Sequence, residues 1–250
     1  MISRVALSTK GLVKRYGKTR ALDGFTLDVP AGAILGLVGP NGSGKTTWMM
    51  SVAGLLRLDA GEVSVLGGGA FDAAVHSGRL AILPQDSELP LEMTPEALFV
   101  AFARLQGLTA AAARAAAAET LEAVNLTDHA RKPIRALSHG MRKRVMTGQC
   151  FLGQPELVLL DEPMNGLDPE EAERMRKLIL RGQSANRTTE QSNNRTVVIS
   201  SHNLLDLERL CSHVAFVEKG RVIRFGTVAE LTAGGRSLED CYLRRGEGSL

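Results

Sequence analysis

The eight residues from Gly39 to Thr46, Gly-Pro-Asn-Gly-Ser-Gly-Lys-Thr, decide the fold. They fit the pattern G-x-x-x-x-G-K-[ST], in which glycines let the backbone wrap around phosphate oxygens. The apolar run from Ile34 to Val38 precedes them, and a segment of helical character follows from Thr46. Because the pattern needs a loop between a strand and a helix N-terminus, its surroundings match the requirement. The stretch therefore predicts a phosphate-binding loop.

The positions of this loop have separate predicted roles. Lys45 is expected to reach the β- and γ-phosphates of a nucleotide, and the Thr46 hydroxyl is expected to ligate Mg²⁺. The positive end of the following helix faces the anion. The predicted nucleotide-binding residues of the loop are Gly39, Pro40, Asn41, Gly42, Ser43, Gly44, Lys45, Thr46 and Thr47.

A second apolar run, from Leu157 to Leu160, ends in the carboxylates Asp161 and Glu162. Successive strand residues point to opposite faces, so these two acids are predicted to act differently. Asp161 would hold Mg²⁺ directly or through water, and Glu162 would polarise an attacking water as general base. Taken alone, such a strand end fits solvated acids equally well. Downstream of a phosphate loop it favours nucleotide hydrolysis.

Strand and helix patterns alternate around these motifs, which predicts an α/β fold with a P-loop core and a parallel sheet. An antiparallel β subdomain is expected at the N-terminus, where short strand patterns follow one another. From Pro95 to Cys150 the pattern is helical without a convincing strand, and Ala110 to Ala123 is an alanine-rich helix. This middle region is predicted to be an inserted helical subdomain. A hairpin is expected near the C-terminus, turning at Lys219-Gly220.

The chain is divided on this basis into one cassette of three parts. Residues 1–86 and 151–235 are assigned to the nucleotide-binding core, residues 87–150 to the helical subdomain, and residues 236–250 to a C-terminal tail. The polar stretch from Gly182 to Arg195 is interpreted as a flexible surface loop.

Composition and charge narrow the functional classes. The net charge is +3, from 30 basic and 27 acidic residues, so bulk electrostatics do not indicate a nucleic-acid partner. The longest apolar runs are too short to cross a bilayer, and the N-terminus has no signal-peptide pattern. The three cysteines, Cys150, Cys211 and Cys241, are scattered, which favours free thiols in a reducing compartment. We expect a cytoplasmic chain unless a partner holds it at a membrane.

With the motifs above, five further segments resemble those of the ATP-binding cassette family, in the family's order. After Leu137, Ser138-His139-Gly140-Met141 resembles the signature, which usually reads Leu-Ser-Gly-Gly-Gln. The family's Q-loop, D-loop, switch histidine and adenine-stacking aromatic are matched by Pro84-Gln85, Gly166-Leu167-Asp168, His202 and Tyr16. The resemblance covers nearly the whole chain, and so many motifs in order are highly specific.

The resemblance implies that two cassettes pair head to tail and sandwich two ATP molecules. Ser138 and the Gly140 backbone would contact the γ-phosphate held by Lys45 of a second cassette. Gln85 would sense the γ-phosphate and Mg²⁺, and His202 would hold the γ-phosphate and the attacking water in place. The predicted catalytic residues are thus Glu162, His202, Lys45 and Gln85, and the predicted metal-binding residues are Thr46, Gln85 and Asp161.

Three of these assignments have local alternatives or departures from the family pattern. Tyr16 is expected to stack on adenine, but it could be a packed strand aromatic. His202 could be a helix-capping histidine. Asp168, in the D-loop, is counted with the nucleotide-binding residues.

The signature departs from the family pattern at two positions. His139 replaces the first signature glycine and Met141 replaces the glutamine, whereas glycine is retained at 140.

Several stretches look like the export branch related to drug- and polysaccharide-efflux systems. They are Leu89 to Glu96, Phe102 to Leu108, and, in the tail, Gly226-Thr227, Glu230-Leu231 and Ser237 to Asp240. One phosphate loop and one signature imply a second cassette, identical or different. The absence of a membrane span implies a separate integral membrane permease, which would hold the chain at the inner face of the cell membrane. A non-transport cassette ATPase and a catalytically impaired regulatory cassette are the alternatives.

Overall fold

The structure is a computed structural model that describes residues 5–153, 155–184 and 195–243. It divides into two compact units: Met1–Phe71 with Thr196–Leu250, and Asp72–Arg195. Most of the polar stretch from Gly182 to Arg195, and the end of the predicted C-terminal tail, lie outside the described residues.

The helices and strands follow in chain order. They are β1 (Val5–Tyr16), β2 (Thr19–Pro30), β3 (Ile34–Val38), α1 (Lys45–Val52), β4 (Ala60–Val65), α2 (Ala73–His76), β5 (Leu80–Leu83), α3 (Pro95–Leu105), α4 (Ala110–Ala123), α5 (His139–Gln149), β6 (Leu157–Asp161), α6 (Pro169–Ser184), β7 (Thr196–Ser201), α7 (Leu204–Leu210), β8 (His213–Glu218), β9 (Arg221–Thr227), α8 (Val228–Leu231) and α9 (Leu238–Leu243). Two short 3₁₀ turns, Thr127–His129 and Ile134–Ala136, precede α5.

The first unit contains an antiparallel sheet and a set of parallel strands. Strands β2, β1 and β4 form an antiparallel sheet in that order. Strands β7, β3 and β8 pair in parallel, and β9 closes the hairpin antiparallel to β8. Every residue of β3 and β7 is buried, as expected for strands with both faces covered.

The N-terminal strand differs from the short strands that the sequence suggests. β1 runs without a break from Val5 to Tyr16, and its register with β2 shifts between Thr9 and Leu12. Gly11 lies within this shift at φ 61, a conformation that suits glycine in a bulge. The glycine therefore lies at an irregularity within a continuous strand and does not end it.

Trp48 is the centre of the packing beneath the antiparallel sheet. It is the only tryptophan of the chain and is fully buried. Its ring packs against Phe25 with the centroids 5.5 Å apart, and its indole N–H donates to Thr9 Oγ1 at 3.2 Å. The Thr9 hydroxyl donates in turn to the Leu27 carbonyl. Because this chain satisfies the indole N–H, the large side chain can be buried without cost to its polar atom.

In the second unit, β5 and β6 pair in parallel, and residues 95–150, all of which are described, contain helices and turns but no strand. Helix α4 has the predicted bounds. Helices α3, α4 and α5 each begin after a hydroxyl side chain that accepts from an N–H of the first turn. Those capping residues are Thr94, Thr109 and Ser138.

Arg195, placed by the sequence in a surface loop, is instead a buried anchor of the second unit. It is 1% exposed, and its guanidinium donates to the carbonyls of Pro155 and Gly182. It also lies 5.2 Å from the ring centroid of Phe151. Burial lowers the pKa of Arg195 to about 10, so the side chain stays charged at neutral pH. The cation thus joins the end of α6 to the segment that leads into β6.

All three cysteines are free and buried, which confirms the prediction of free thiols. Burial raises the pKa of Cys150 to about 12 and raises that of Cys211 further, so neither thiol is reactive at neutral pH. Among the described residues, no helix combines the length and the apolar character that a bilayer crossing requires.

The predicted β8–β9 hairpin is confirmed, and its turn contacts the phosphate loop. Gly220 lies at φ 73, and its N–H donates to the Ser43 carbonyl at 2.8 Å. Its own carbonyl accepts from the Asp23 N–H at 3.0 Å. Hydrogen bonds from Arg20 and Arg221 lower the pKa of the Asp23 carboxyl. A single turn therefore joins β2, the hairpin and the loop.

We expect Gly220→Ala to destabilise the protein more than Gly17→Ala. Both glycines lie in hairpin turns at positive φ, 73 for Gly220 and 57 for Gly17, so alanine costs each of them about 1–2 kcal/mol of backbone strain. A Cβ at Gly220 would also lie 2.6 Å from the Ala21 carbonyl oxygen, whereas a Cβ at Gly17 would meet nothing within 4 Å. Overpacking should add about 1–3 kcal/mol at Gly220 alone.

Urea unfolding of both variants, followed by Trp48 fluorescence, measures this difference. Equal free energies of unfolding for the two variants would show that the hairpin turn does not depend on this close approach.

Candidate functional site

The phosphate loop of the first unit has the backbone that its glycines predict. Gly42 lies at φ 77 and Gly44 at φ 110, and helix α1 begins at the next residue, Lys45. The Ser43 N–H donates to the Pro40 carbonyl at 3.1 Å, which closes a turn within the loop. The loop thus runs directly into a helix N-terminus, where backbone N–H groups are available to an anion.

Strand backbone restricts the loop from two sides. A Cβ at Gly39 would lie 2.1 Å from the Val217 carbonyl oxygen, and one at Gly44 would lie 2.5 Å from that of Ala21. No side chain fits at either position, because real Cβ atoms do not approach carbonyl oxygens so closely. The glycines are therefore required by the packing of β2 and β8 as well as by any phosphate.

Lys45 is held within the loop that it follows. Its ammonium donates to the carbonyl of Gly39 at 2.8 Å and to that of Pro40 at 3.3 Å, and the residue is 6% exposed. Ser43 Oγ is buried, and no partner for it is found among the described residues. A buried cation, an unsatisfied hydroxyl and a helix N-terminus in one loop suit a phosphate group. The neighbouring Thr46 is exposed at the start of α1.

Tyr16 lies at the end of β1 and is 50% exposed. The Lys14 ammonium lies 5.5 Å from the ring centroid and donates to the Arg57 carbonyl. A residue with this much exposed surface is not a packed strand aromatic. Such a ring is available to stack on a base.

His202 follows β7 and is exposed. It is not the cap of helix α7, because the Asn203 side chain accepts from the N–H groups of Leu205 and Asp206. The helix-capping alternative for His202 is therefore wrong. A histidine placed directly after a parallel strand lies where such sheets bind ligands.

In the second unit, β6 ends at Asp161, which is 2% exposed. Glu162 is 6% exposed and has φ 50, a left-handed conformation that is uncommon for residues other than glycine. Because Glu162 lies in this turn and not in the strand, the alternation of side chains along a strand does not explain why the two acids would have different roles. Strained backbone at a buried acid is typical of functional positions.

The signature segment forms the N-terminus of α5. Ser138 is the N-cap, and its Oγ accepts from the Met141 N–H at 3.2 Å, which leaves the hydroxyl proton free to be donated. Gly140 is buried in the first turn. His139 is exposed, and its Nε2 lies 3.6 Å from the position that a Cβ of Gly166 would occupy. The structure therefore brings the signature and the D-loop turn together.

The other two predicted residues lie in turns of the second unit. Gln85 is exposed, one residue beyond Pro84, and the Ser87 hydroxyl donates to the Pro84 carbonyl to close that turn. The Asp168 carboxylate accepts from the Glu171 N–H at 2.9 Å and so caps helix α6. No motif in the sequence indicated this capping, and the nucleotide contact of Asp168 stays a prediction.

Two residues of the second unit were not marked by any motif. Arg144 is 3% exposed and ion-paired with Glu171, Nε to Oε2, at 3.0 Å. The carboxyl group of Glu171 packs against the Cα of Gly140. Gly140 and Arg144 are four residues apart in α5, so they lie on the same face of the helix, and both contact Glu171. This spacing is the only signal in the sequence for the contact.

The comparisons with known proteins agree on one family. The sequence pattern of the ABC transporter family matches residues 22–165. The daunorubicin resistance ATP-binding protein DrrA3 of Streptomyces coeruleorubidus is 37% identical over 233 residues, which cover 91% of this chain and 70% of that protein. The Nod factor export ATP-binding protein I of Burkholderia orbicola is 34% identical over 230 residues, which cover 90% of this chain and 72% of that protein.

A solved structure of an ATP-binding subunit of an ABC transporter has the same fold. It superposes with a TM-score of 0.82 at 26% identity, and the match covers 97% of this chain and 100% of the other. The predicted α/β P-loop fold is thereby confirmed.

We expect His139→Gly to change the ATP hydrolysis rate of the purified protein by less than about tenfold. The His139 side chain is exposed, and Ser138 caps the helix without it. Glycine at this position costs the helix only about 1 kcal/mol. A coupled phosphate-release assay at saturating ATP measures the rate, with His129→Gly in a neighbouring turn as the control. A rise of tenfold or more would show that His139 impairs the site.

Proposed function

The chain belongs to the ABC transporter family, and from this we propose that it is the ATP-hydrolysing subunit of an exporter whose permease is a separate membrane protein. Members of this family hydrolyse ATP to drive transport, so the chain is an ATPase cassette. The observation that carries the proposal is the loop from Gly39 to Thr46, in which glycine backbone, the Lys45 ammonium and a helix N-terminus converge.

In the proposed site, the triphosphate of ATP lies in this loop and the adenine stacks on Tyr16. Lys45 exchanges its bonds to the Gly39 and Pro40 carbonyls for bonds to phosphate oxygens. This exchange requires little rearrangement, because the ammonium already lies within the loop. The Ser43 hydroxyl gains a partner at the same time.

The residues also suit Mg²⁺, which binds oxygen ligands and takes part of its coordination from substrate phosphates. The Thr46 hydroxyl, the Gln85 side-chain oxygen and the Asp161 carboxylate would hold the ion. When bound, the ion neutralises charge on the β- and γ-phosphates. The position of Asp161 supports this role, because it places a carboxylate oxygen, the type of ligand that Mg²⁺ prefers, at the end of a buried strand.

Glu162 is proposed as the general base, and His202 as the residue that positions the γ-phosphate and the attacking water. Glu162 is buried directly after β6, and its backbone is held in a left-handed turn, which supports a functional position. His202 is exposed and not engaged as a helix cap, so its ring is accessible to a ligand.

In this proposal, a second cassette supplies the remaining ligands of the bound ATP. Ser138 and the Gly140 backbone of that cassette contact the γ-phosphate, and Asp168 lies in the same interface. The N-terminus of α5 supports this role, since it presents a free hydroxyl proton and backbone N–H groups to an anion. The partner cassette is a second copy of this chain or a different one.

Export is favoured over import by the relatives, whose names are those of an export protein and of a drug-resistance protein. We infer that the cargo passes through an integral membrane permease and that this permease holds the chain at the inner face of the cell membrane. His139 and Met141 depart from the usual signature, and this favours a second candidate function, that of a cassette that binds ATP without hydrolysing it.

Glu162→Gln should abolish ATP hydrolysis, lowering kcat by at least about a hundredfold, because an amide cannot accept the proton from water. The variant should still bind ATP and should accumulate as an ATP-locked dimer. Size-exclusion chromatography with light scattering, with and without ATP, measures the dimer.

Lys45→Ala in the Glu162→Gln background is the matched control. It removes the phosphate ligand and should prevent the dimer. Wild-type turnover in Glu162→Gln would mean that Glu162 is not the general base. An inactive wild-type protein would favour the regulatory cassette.

A tagged copy of the chain, purified from detergent-solubilised membranes of the cell that encodes it, should retain an integral membrane protein at a fixed ratio. The Glu162→Gln variant with ATP should retain it at least as well. Mass spectrometry of the retained bands identifies the permease. Recovery of the chain with DNA or ribosomes, and without a membrane protein, would support the non-transport alternative.

A further inference from the structure

We propose that Glu171 is a positioning residue for the signature. Its carboxylate fixes the first turn of α5 against α6 and so determines how well Ser138 and Gly140 receive the γ-phosphate of ATP bound on a second cassette. The inference rests on the pairing of two cassettes proposed above. It assigns this role to a side chain outside every motif of the sequence.

The carboxylate of Glu171 is fully engaged. Oε2 accepts from Arg144 Nε at 3.0 Å, and Oε1 accepts from Arg174 Nη1 at 2.7 Å. The Glu171 backbone N–H donates to the Asp168 carboxylate at 2.9 Å. The side chain is 14% exposed. Backbone and carboxyl group are therefore both fixed, and the residue has little freedom to move.

This fixed side chain lies directly against the signature. A Cβ added to Gly140 would lie 2.8 Å from Cγ and Cδ of Glu171 and 2.9 Å from Oε2. Gly140 and Glu171 are thus in contact with no space between them. Any shift of the Glu171 carboxyl changes the surface on which the first turn of α5 rests.

Arg144 extends the same contact to a third helix. Its guanidinium is 3% exposed and also donates to the carbonyls of Val124 and Asn125, at the end of α4. A buried guanidinium needs a counter-charge, and Glu171 supplies it. Without Glu171, Arg144 would have to move toward water or toward another acceptor. That movement would carry the signature helix with it, because Arg144 is part of α5.

Electrostatics alone predicts the opposite effect, which makes the proposal testable. Glu171 is a negative charge beside a helix N-terminus that is proposed to receive a phosphate. If charge repulsion were its main effect, Glu171→Gln would strengthen ATP-dependent pairing. If positioning dominates, Glu171→Gln weakens it, because the amide loses the charge-assisted bonds to Arg144 and Arg174.

The experiment compares Glu171→Gln with Glu170→Gln. Glu170 is the matched control, since it pairs with the same Arg174 at 2.5 Å from the exposed side of α6. We expect Glu171→Gln to lower kcat by roughly tenfold, because misplaced binding groups reduce rate steeply. Its KM for ATP should change by less than about threefold, because the phosphate loop lies in the other compact unit. Glu170→Gln should leave both constants within twofold.

Pairing is measured separately, by light scattering of the Glu162→Gln protein with ATP. Adding Glu171→Gln should reduce the dimer fraction, and adding Glu170→Gln should not. ATP binding to the isolated chain, followed by Trp48 fluorescence three residues after Lys45, should be unchanged in both and shows that the variants are folded.

The outcomes separate the two proposals. Unchanged or faster hydrolysis in Glu171→Gln, with an unchanged or larger dimer fraction, overturns the positioning role. Failure of the Glu162→Gln protein itself to pair overturns the proposed function instead. Should Glu171→Gln not fold, Glu171→Asp keeps the charge but shortens the side chain by one methylene, which withdraws the carboxylate from Arg144 and Gly140. A reduced kcat in that variant then supports the role, and wild-type kcat overturns it.

Discussion

The phosphate loop depends on backbone segments that lie closer together than side chains allow. Gly39 faces the Val217 carbonyl and Gly44 faces the Ala21 carbonyl at distances that exclude a Cβ. Gly220 completes the arrangement, because its N–H donates to the Ser43 carbonyl. The loop is therefore held by strands on two sides before any ligand arrives. A preorganised loop loses little conformational entropy when it binds phosphate, which is the physical reason to build it on buried strands.

In the second unit, the corresponding constraint is a buried charge. Arg144 must be neutralised within the protein, and Glu171 does so from the helix that follows the D-loop. The Glu171 carboxyl then fills the space that a side chain at 140 would need. Glycine at 140 is thus required by packing inside this chain, in addition to any contact with phosphate. His139 is under no such constraint, because its side chain is exposed at the helix surface.

Features encoded by neighbouring residues could be predicted from the sequence. The phosphate loop, helix α4, the turn at Lys219-Gly220 and the Ser138 cap each depend on contacts within a few residues. Features that join distant residues could not. Arg144 and Glu171 are 27 positions apart, and the buried Arg195 binds a carbonyl 40 positions away. The sequence places Glu162 as an acid at a strand end, but its left-handed backbone follows from the turn that the next residues form.

That turn belongs to one continuous segment that runs from the acid to Glu171, the residue that packs against the signature. β6 delivers Asp161 and Glu162, and the Asn165 N–H then donates to the Glu162 carbonyl at 3.2 Å. The chain continues through the D-loop to Asp168, which caps α6, and to Glu171, which contacts Gly140. A left-handed residue costs about 1–2 kcal/mol, and the turn after it maintains that conformation. A change at the signature therefore reaches Glu162 through the Gly140–Glu171 contact and the short chain segment before it. In the proposed dimer, this connection is a physical means by which pairing would act on hydrolysis.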